Sequence, residues 1–248
     1  MHPASRTASA FVLALSWTVG TLCADPIPGW PQPGGPGTTV TVTYSYSNLL
    51  DGGFLLITPA ELRAATEEAL QLWARYAPLD FVEVPDAGPA PSDVPYPADG
   101  FPQIRVGQHP MLDIAHGFFP TAGNGLAGDV HLDSGIPWTV GAGHWNVLEA
   151  LVHELGHAIG LPHELDQVAM MNPAYPAMRY DGLGSAFLFA ADIENVRAIY
   201  GTGGGSLRSL DPTPEPATVV LVATAMASMV HMRRRATRRS RPLPVRRG

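Results

Sequence analysis

The chain has one cysteine, Cys23, in 248 residues and contains no lysine. A single thiol cannot form an intramolecular disulfide, so the sequence excludes a disulfide-stabilised fold. Cys23 also lies in an N-terminal segment with the composition of a removable signal. We therefore expect the mature protein to depend on its hydrophobic core rather than on disulfides.

Positive charge is scarce outside the two ends of the chain. Eight of the fifteen arginines lie between residues 233 and 247, and a ninth is Arg6. Residues 25 to 211 contain six arginines against twenty-one acidic residues, a net charge of −15. A domain this acidic repels other anions at long range. Nucleic acids and other polyanions are therefore excluded as expected partners.

The N-terminal end predicts export. Residues 1–24 carry Arg6, an apolar run over residues 8 to 20 and small residues before a cleavage point after Ala24. This is the composition of a secretory signal peptide. We expect residues 1–24 to be removed, together with the only cysteine.

The C-terminal end has three parts in a fixed order. Pro214, Glu215 and Pro216 precede an apolar segment at 217–232, and an arginine-rich end follows. This order resembles PEP-CTERM sorting signals, bacterial tails that an exosortase processes during export. The resemblance implies an exosortase-type processing partner, transient membrane association through the tail, and a secreted or surface-attached protein of a Gram-negative-type bacterium. A plain membrane anchor is the alternative, with its arginines on the cytoplasmic side.

The most informative stretch is HELGHAIGLPH at residues 153–163. His153 and His157 are four residues apart, so on a helix they lie about 40° apart on one face. Gly160 can adopt a positive φ, end the helix and turn the chain back, which would bring His163 to the same point. Three neutral imidazoles are typical ligands of a catalytic Zn²⁺, which keeps a fourth position open.

Glu154 follows the first of these histidines and projects beside the ligand face. Its carboxylate could take a proton from an attacking water and later pass it to a leaving amine. The other side of the same helix carries an apolar stripe suited to packing, formed by Leu148, Leu151, Val152, Leu155 and Ile159. The sequence thus predicts a helix with one packed face and one chemical face.

The full pattern HExxHxxGxxH resembles the metzincin clan of zinc peptidases. Met171 lies eight residues after His163, and this short spacing resembles the matrixins rather than the astacins. The resemblance implies that Met171 forms the floor beneath the zinc. It also implies that Pro173 and Tyr175 line the pocket for the substrate side chain after the cut bond, with Asn172 in place of the usual tyrosine.

Two further segments resemble those that hold a structural zinc in matrixins, IAHGF at 114–118 and GDVHLD at 128–133. By this resemblance His116 and His131 supply two of four ligands. The loop that provides the other two in the family is shorter here, which leaves His109 and Asp113 as candidates. The alternative is that these histidines are ordinary polar residues near a strand.

The same resemblance assigns Asp129 and Asp133 to calcium. Ile136 stands where the family usually has a glutamate, which weakens a site for a cation that prefers six or more oxygens. Leu126 and Ala127 lie just before the strand near residue 130, where matrixins present an exposed edge. Such an edge pairs with the backbone of an extended substrate.

The remaining pattern predicts the order of the elements. Alternating β-branched and aromatic residues predict a strand over 38–47, and Thr58 with Glu61 forms a capping box that opens a helix to about Tyr76. Further expected elements are strands at 80–84, 104–106 and 130–132, an exposed proline-rich loop at 85–102 and a final helix at 191–201. This order resembles that of matrixins. It implies an α+β fold, metzincin-like, with a twisted, mostly parallel sheet and about three helices.

These observations divide the chain into a signal peptide (1–24), a Pro/Gly-rich leader (25–37), a matrixin-like catalytic domain (38–201), a linker (202–213) and a sorting tail (214–248). We expect a zinc endopeptidase that cuts extended protein substrates with Glu154 as general base. The alternative is a surface binding protein that keeps the fold and the zinc without turnover. The intact Glu154 argues against that alternative, and a membrane-tethered structural protein would require the zinc motif to be accidental.

Overall fold

A computed structural model of the chain describes residues 28–141, 145–165, 168–172 and 180–210. Within these residues the strands are β1 (Val40–Tyr46), β2 (Leu79–Glu83), β3 (Ile104–His109), β4 (Ala115–Gly117), β5 (Val130–Asp133) and β6 (Ser206–Arg208). The α-helices of the same part are α1 (Pro59–Tyr76), α2 (Val147–Ala158) and α3 (Ala190–Tyr200). The strands form one sheet in the order β4-β5-β3-β1-β2-β6.

The sheet is mixed but mostly parallel. β4 runs antiparallel to β5, and the other neighbouring pairs run parallel. Buried residues alternate with less buried ones over the first half of β1, which indicates that one face of the sheet is more deeply covered than the other. The predicted α+β fold with a mostly parallel sheet and three helices is confirmed.

The first helix begins where the capping box predicts. The Thr58 side chain accepts a hydrogen bond from the Glu61 backbone N–H, and the Glu61 carboxylate accepts one from the Thr58 backbone N–H at 2.8 Å. The buried face of α1 carries Trp73, whose Nε1 donates to the Val152 carbonyl of α2 at 3.0 Å. This bond fixes α2 beside α1. No helix in the described ranges is long and apolar enough to cross a membrane.

Two short strands depart from the sequence-based prediction. The pattern predicts irregular chain after residue 106, yet Ala115–Gly117 form β4 at one end of the sheet. Ser206–Arg208 lie inside the predicted 202–213 linker but pair with β2 as β6, and Ser206 Oγ donates to Asp80 Oδ1 at 2.7 Å. Strands of three residues carry too little alternation to be read from a sequence.

The leader also departs from its prediction. The composition of 25–37 predicts a flexible segment, but Trp30 Nε1 donates to the Ala158 carbonyl at the end of α2 at 3.0 Å. The Trp30 backbone N–H donates to the Tyr200 hydroxyl, also at 3.0 Å. The indole ring of Trp30 thus covers the end of α2, and its N–H bonds a carbonyl that lacks a partner within the helix. The predicted signal peptide and sorting tail lie outside the described residues.

Candidate active site and second metal cluster

Helix α2 and the turn after it bring three histidines to one point. Asn146 caps the helix by accepting hydrogen bonds from two backbone N–H groups, and Gly160 follows it with a φ of 102°. The ligand nitrogens of His153, His157 and His163 lie within 4.8 Å of one another. The first two side chains are buried and His163 is exposed. We call these three residues the first cluster.

Second hydrogen bonds fix the tautomers of the two helical histidines. His153 Nδ1 lies 2.7 Å from the Met170 carbonyl, and His157 Nδ1 lies 2.7 Å from the Leu161 carbonyl. A carbonyl can only accept, so each Nδ1 carries the proton and each Nε2 is the unprotonated nitrogen, the one that can bind a metal. Burial lowers the pKa of His157 to about 4. The ring is therefore neutral at physiological pH, as a zinc ligand must be.

Glu154 is a buried carboxyl on the same helix, with 7% of its surface exposed. Burial raises its pKa to about 8, while a backbone hydrogen bond from Gly117 acts in the opposite direction. A divalent cation at the first cluster would favour the carboxylate, because a nearby opposite charge lowers a carboxyl pKa.

Met171 lies beneath the helix and is fully buried. A Cβ at Gly156 would overlap the Met171 sulfur, so the glycine lets the methionine side chain pack directly against α2. Asp192 of α3 accepts from the backbone N–H groups of Met170 and Met171 at 2.9 and 3.1 Å. Sequence reasoning missed Asp192, whose only signal is an acidic residue in the first turn of the last helix. Pro173 and Tyr175 lie outside the described residues.

The expected substrate edge does not lie at Leu126 and Ala127. Leu126 is 4% exposed, and both residues belong to a turn that Asn124 closes with its side chain and its carbonyl. Their backbone is used by the turn, so it offers no row of free groups. The strand at this end of the described sheet is β4, with Ile114 half exposed just before it.

Four other side chains converge nearby, and we call them the second cluster: Asp93, His109, His116 and His131. Asp93 Oδ1 lies 3.2 Å from His109 Nε2, 2.9 Å from His116 Nε2 and 3.5 Å from His131 Nδ1. Burial and the neighbouring His131 lower the pKa of His116, which favours its neutral form. Three imidazoles and one carboxylate suit a closed, four-coordinate zinc.

The fourth member of the second cluster differs from the sequence-based choice. The cluster contains all three histidines that the sequence offered as candidates, His109, His116 and His131. Asp113, the remaining candidate, is exposed and lies outside the group. Asp93 takes that place from the proline-rich loop between β2 and β3. Nothing in the spacing of a loop carboxylate marks it as a ligand, because its position depends on tertiary packing.

The two predicted calcium ligands have other partners. Asp129 Oδ2 accepts from the Tyr96 hydroxyl at 2.8 Å and lies 3.6 Å from Arg105 Nη1. Asp133 Oδ1 accepts from the Gly135 backbone N–H at 3.0 Å. Neither residue belongs to a group of three or more metal-ligating side chains in the part of the chain that the structure describes. Arg105 supplies positive charge beside Asp129.

Comparison with known proteins agrees with this geometry. The family model described as Matrixin matches residues 38–201. The chain belongs to the matrixin family. This confirms the resemblance inferred from the HExxHxxGxxH pattern and the early methionine, and it makes zinc the metal that the family implies for the first cluster.

Individual matrixins show how far the similarity extends. Matrix metalloproteinase-20 of Homo sapiens is 33% identical over 161 residues, 65% of this chain and 31% of that protein. Neutrophil collagenase of Homo sapiens is 30% identical over 179 residues, 70% of this chain and 36% of that protein. Matrix metalloproteinase-16 of Rattus norvegicus is 35% identical over 171 residues, 64% of this chain and 26% of that protein. The chain thus spans about a third of the length of these relatives.

Proposed function

We propose that this matrixin is a zinc-dependent endopeptidase that hydrolyses peptide bonds of extended protein substrates. One observation carries the proposal: the first cluster brings three imidazoles together, two of them with an unprotonated Nε2, on the helix that carries the buried carboxyl of Glu154. Zinc held by His153, His157 and His163 would supply Lewis acidity that polarises the scissile carbonyl and makes water easier to deprotonate.

The chain's own residues perform the proton transfers. In this proposal Glu154 accepts a proton from the attacking water and then gives it to the leaving amine, so its net protonation is unchanged after one turnover. The carbonyls of Met170 and Leu161 hold the two helical imidazoles in the orientation and tautomer that zinc requires. Met171 closes the site from below and excludes water from that side.

The substrate would lie along the edge of β4. Backbone pairing with an edge strand selects an extended chain and reads few side chains. The net charge of −15 over residues 25 to 211 disfavours strongly acidic substrates at low ionic strength. We therefore propose an unfolded or extended neutral or basic segment of a protein as the substrate class.

The proposal extends to the location of the enzyme. Residues 1–24 would direct export, and the tail at 214–248 would be processed by an exosortase-type enzyme after transient membrane association. The catalytic domain would then act outside the inner membrane, secreted or at the cell surface. These parts rest on the composition of the two ends.

The metal complement of the proposed enzyme is two zinc ions. The first cluster holds the catalytic zinc, and the second cluster holds a structural one. The proposal includes no calcium at Asp129, because the guanidinium of Arg105 already faces that carboxylate and a second cation there would be repelled.

Hydrolysis of unfolded casein and of a quenched peptide library tests the proposal, with zinc quantified in every sample. The matched control is Glu154→Gln, which keeps the size of the side chain and removes its base. We expect cleavage by the parent and a loss of about 100-fold or more in the variant with zinc retained. Stoichiometric zinc with no cleavage by the parent would instead identify a non-catalytic binding protein on this fold.

A further inference from the structure

The loop of residues 84–103, between β2 and β3, reaches the second cluster through one side chain. The three histidines of that cluster stand on neighbouring strands, His109 at the end of β3, His116 in β4 and His131 in β5. Asp93 comes from outside the sheet, and its Oδ1 lies within 3.5 Å of a ring nitrogen of each histidine. Something must hold this loop over the sheet.

Arg105 of β3 holds the loop on the N-terminal side of Asp93. Its side chain is only 2% exposed. Its Nε and Nη2 donate to the two oxygens of Asp86 at 2.8 and 3.1 Å, and its Nη2 also donates to the Pro89 carbonyl at 2.6 Å. A buried guanidinium must be paired, so these contacts are costly to break.

The same guanidinium holds the loop on the C-terminal side of Asp93. Arg105 Nη1 donates to the Tyr96 hydroxyl at 2.7 Å, and that hydroxyl donates to Asp129 Oδ2. The Tyr96 carbonyl also accepts from the Gly125 backbone N–H at 2.7 Å. Asp93 is thus fixed from both sides by contacts of its own loop with Arg105, and the Asp129 carboxylate at the end of this network also lies 3.8 Å from Nε2 of His131.

We propose that Arg105 is the positioning residue that keeps Asp93, the fourth member of the second cluster, within reach of a metal held there. The proposal deepens the proposed function, since it rests on a structural zinc in the second cluster. A metal there joins three strands and the 84–103 loop at one point. Retention of that metal then depends on Arg105, whereas retention of the catalytic zinc does not.

The ligand is tested by zinc content and release rate in the full-length protein. A chromogenic chelator follows release from each site, and the catalytic zinc is identified by its loss in His157→Gln. We expect two zinc ions in the parent, one in Asp93→Asn, and two in the matched control Asp113→Asn. A parent that holds one zinc, or an Asp93→Asn variant that keeps two with unchanged release, overturns the proposal, and so does loss of the second zinc from Asp113→Asn.

The positioning role is tested with Arg105→Lys, which keeps the charge but cannot make the forked contacts. We expect zinc release from the second site to become about 10- to 100-fold faster, with release from the first site unchanged. Arg63→Lys is the control, because Arg63 also pairs with a carboxylate, Glu83 at 2.9 Å, away from both clusters. It should change neither release rate.

If Arg105→Lys accelerated zinc release equally at both sites, the substitution would have loosened the whole fold. That result would overturn the positioning role. If Arg105→Lys does not fold, Tyr96→Phe removes the bridging hydroxyl alone and should accelerate release from the second site by a smaller factor. Unchanged release in Tyr96→Phe would then overturn the role. These zinc measurements stand whatever the peptide assay shows, so they separate failure of this inference from failure of the proposed function.

Discussion

The two metal-ligating clusters are built in opposite ways. The first takes its ligands from one helix and the turn after it, within residues 153–163, and leaves His163 exposed. The second collects four ligands from a loop and three strands, within residues 93–131. Three ligands leave a coordination position for chemistry, whereas four close the site. Local periodicity is thus enough to build an open site, but the closed site requires the whole sheet.

The two clusters meet at β4. His116 belongs to the second cluster, and the next residue, Gly117, lies against α2. A Cβ at Gly117 would overlap the Glu154 carbonyl oxygen of that helix. The absence of a side chain at residue 117 therefore sets the spacing between the two metal sites.

The largest expected effect is on peptide cleavage, which should depend much more on the first cluster than on the second. We expect His157→Gln to lower peptide cleavage by about 10³-fold or more, because the Lewis acid is lost with its ligand. His131→Gln should lower the Tm but leave cleavage per catalytic zinc within about tenfold. Cleavage rate, zinc content and Tm would be measured on the same samples. A cleavage loss in His131→Gln as large as that in His157→Gln would contradict the division into a catalytic and a structural site.

The contact between β4 and α2 should not accommodate an added methyl group at residue 117. Gly117→Ala inserts a Cβ against helix backbone that cannot move aside, which should cost about 3 kcal/mol of unfolding free energy. Gly141→Ala is the matched control, since a Cβ there meets no atom of the described residues within 4 Å and should change stability by less than about 0.5 kcal/mol. Urea unfolding of both variants measures the difference. Similar midpoints would show that the spacing at β4 is not fixed by Gly117.

The first cluster can be predicted from the sequence more completely than the second, because its ligands are close together in the chain. His153, His157 and Glu154 follow from helix periodicity, and Gly160 explains the turn to His163. Asp93 does not follow from any local pattern, because the 84–103 loop is positioned by Arg105 and by the chain before β5.

The fold shows the same division between local and tertiary signals. The capping box at Thr58 and the alternation over 38–47 locate α1 and β1. The three-residue strands β4 and β6 exist only through pairing with β5 and β2. Trp30 likewise gains its role from the ends of two helices that are distant in sequence.

Without metal, the stability of the protein should depend on pH through His157 of the first cluster and through the adjacent Glu154. Burial lowers the pKa of His157 to about 4, so its contribution to stability is present above about pH 6.5 and is lost as the pH falls toward 4. Burial raises the pKa of Glu154 to about 8, so stability is lost as the pH rises from about 4.5 to 8.

Glu154→Gln isolates the second of these two effects. We expect the variant without metal to have a Tm several degrees above the parent at pH 8, with little difference near pH 4.5, because glutamine has no charge to bury. Asp51→Asn is the control, since that carboxyl is exposed and is not among the groups that shift the pKa of Glu154. A parent and a Glu154→Gln variant with parallel Tm curves across this range would show that Glu154 is not held against ionisation.

The smallest expected effect acts on both clusters alike. Trp30 donates to the Ala158 carbonyl at the end of α2, and its ring fills the space that a Cβ at Gly128 would occupy, two residues before β5. Trp30→Phe keeps most of the ring but removes the donor, which should cost about 1 kcal/mol. Thermal unfolding measures the cost, and zinc release from both sites should accelerate by similar factors. A change confined to one site would show that this contact serves only that cluster.

The order of the strands also determines which way the molecule faces. β6 and β4 are opposite ends of a six-stranded sheet, so about 24 Å separates them at the usual spacing of neighbouring strands. Residue 210 follows β6 directly, while both metal clusters adjoin β4. A protein held to a cell surface by residues beyond 210 would therefore stand on one edge of its sheet and present β4 and the two clusters to the medium.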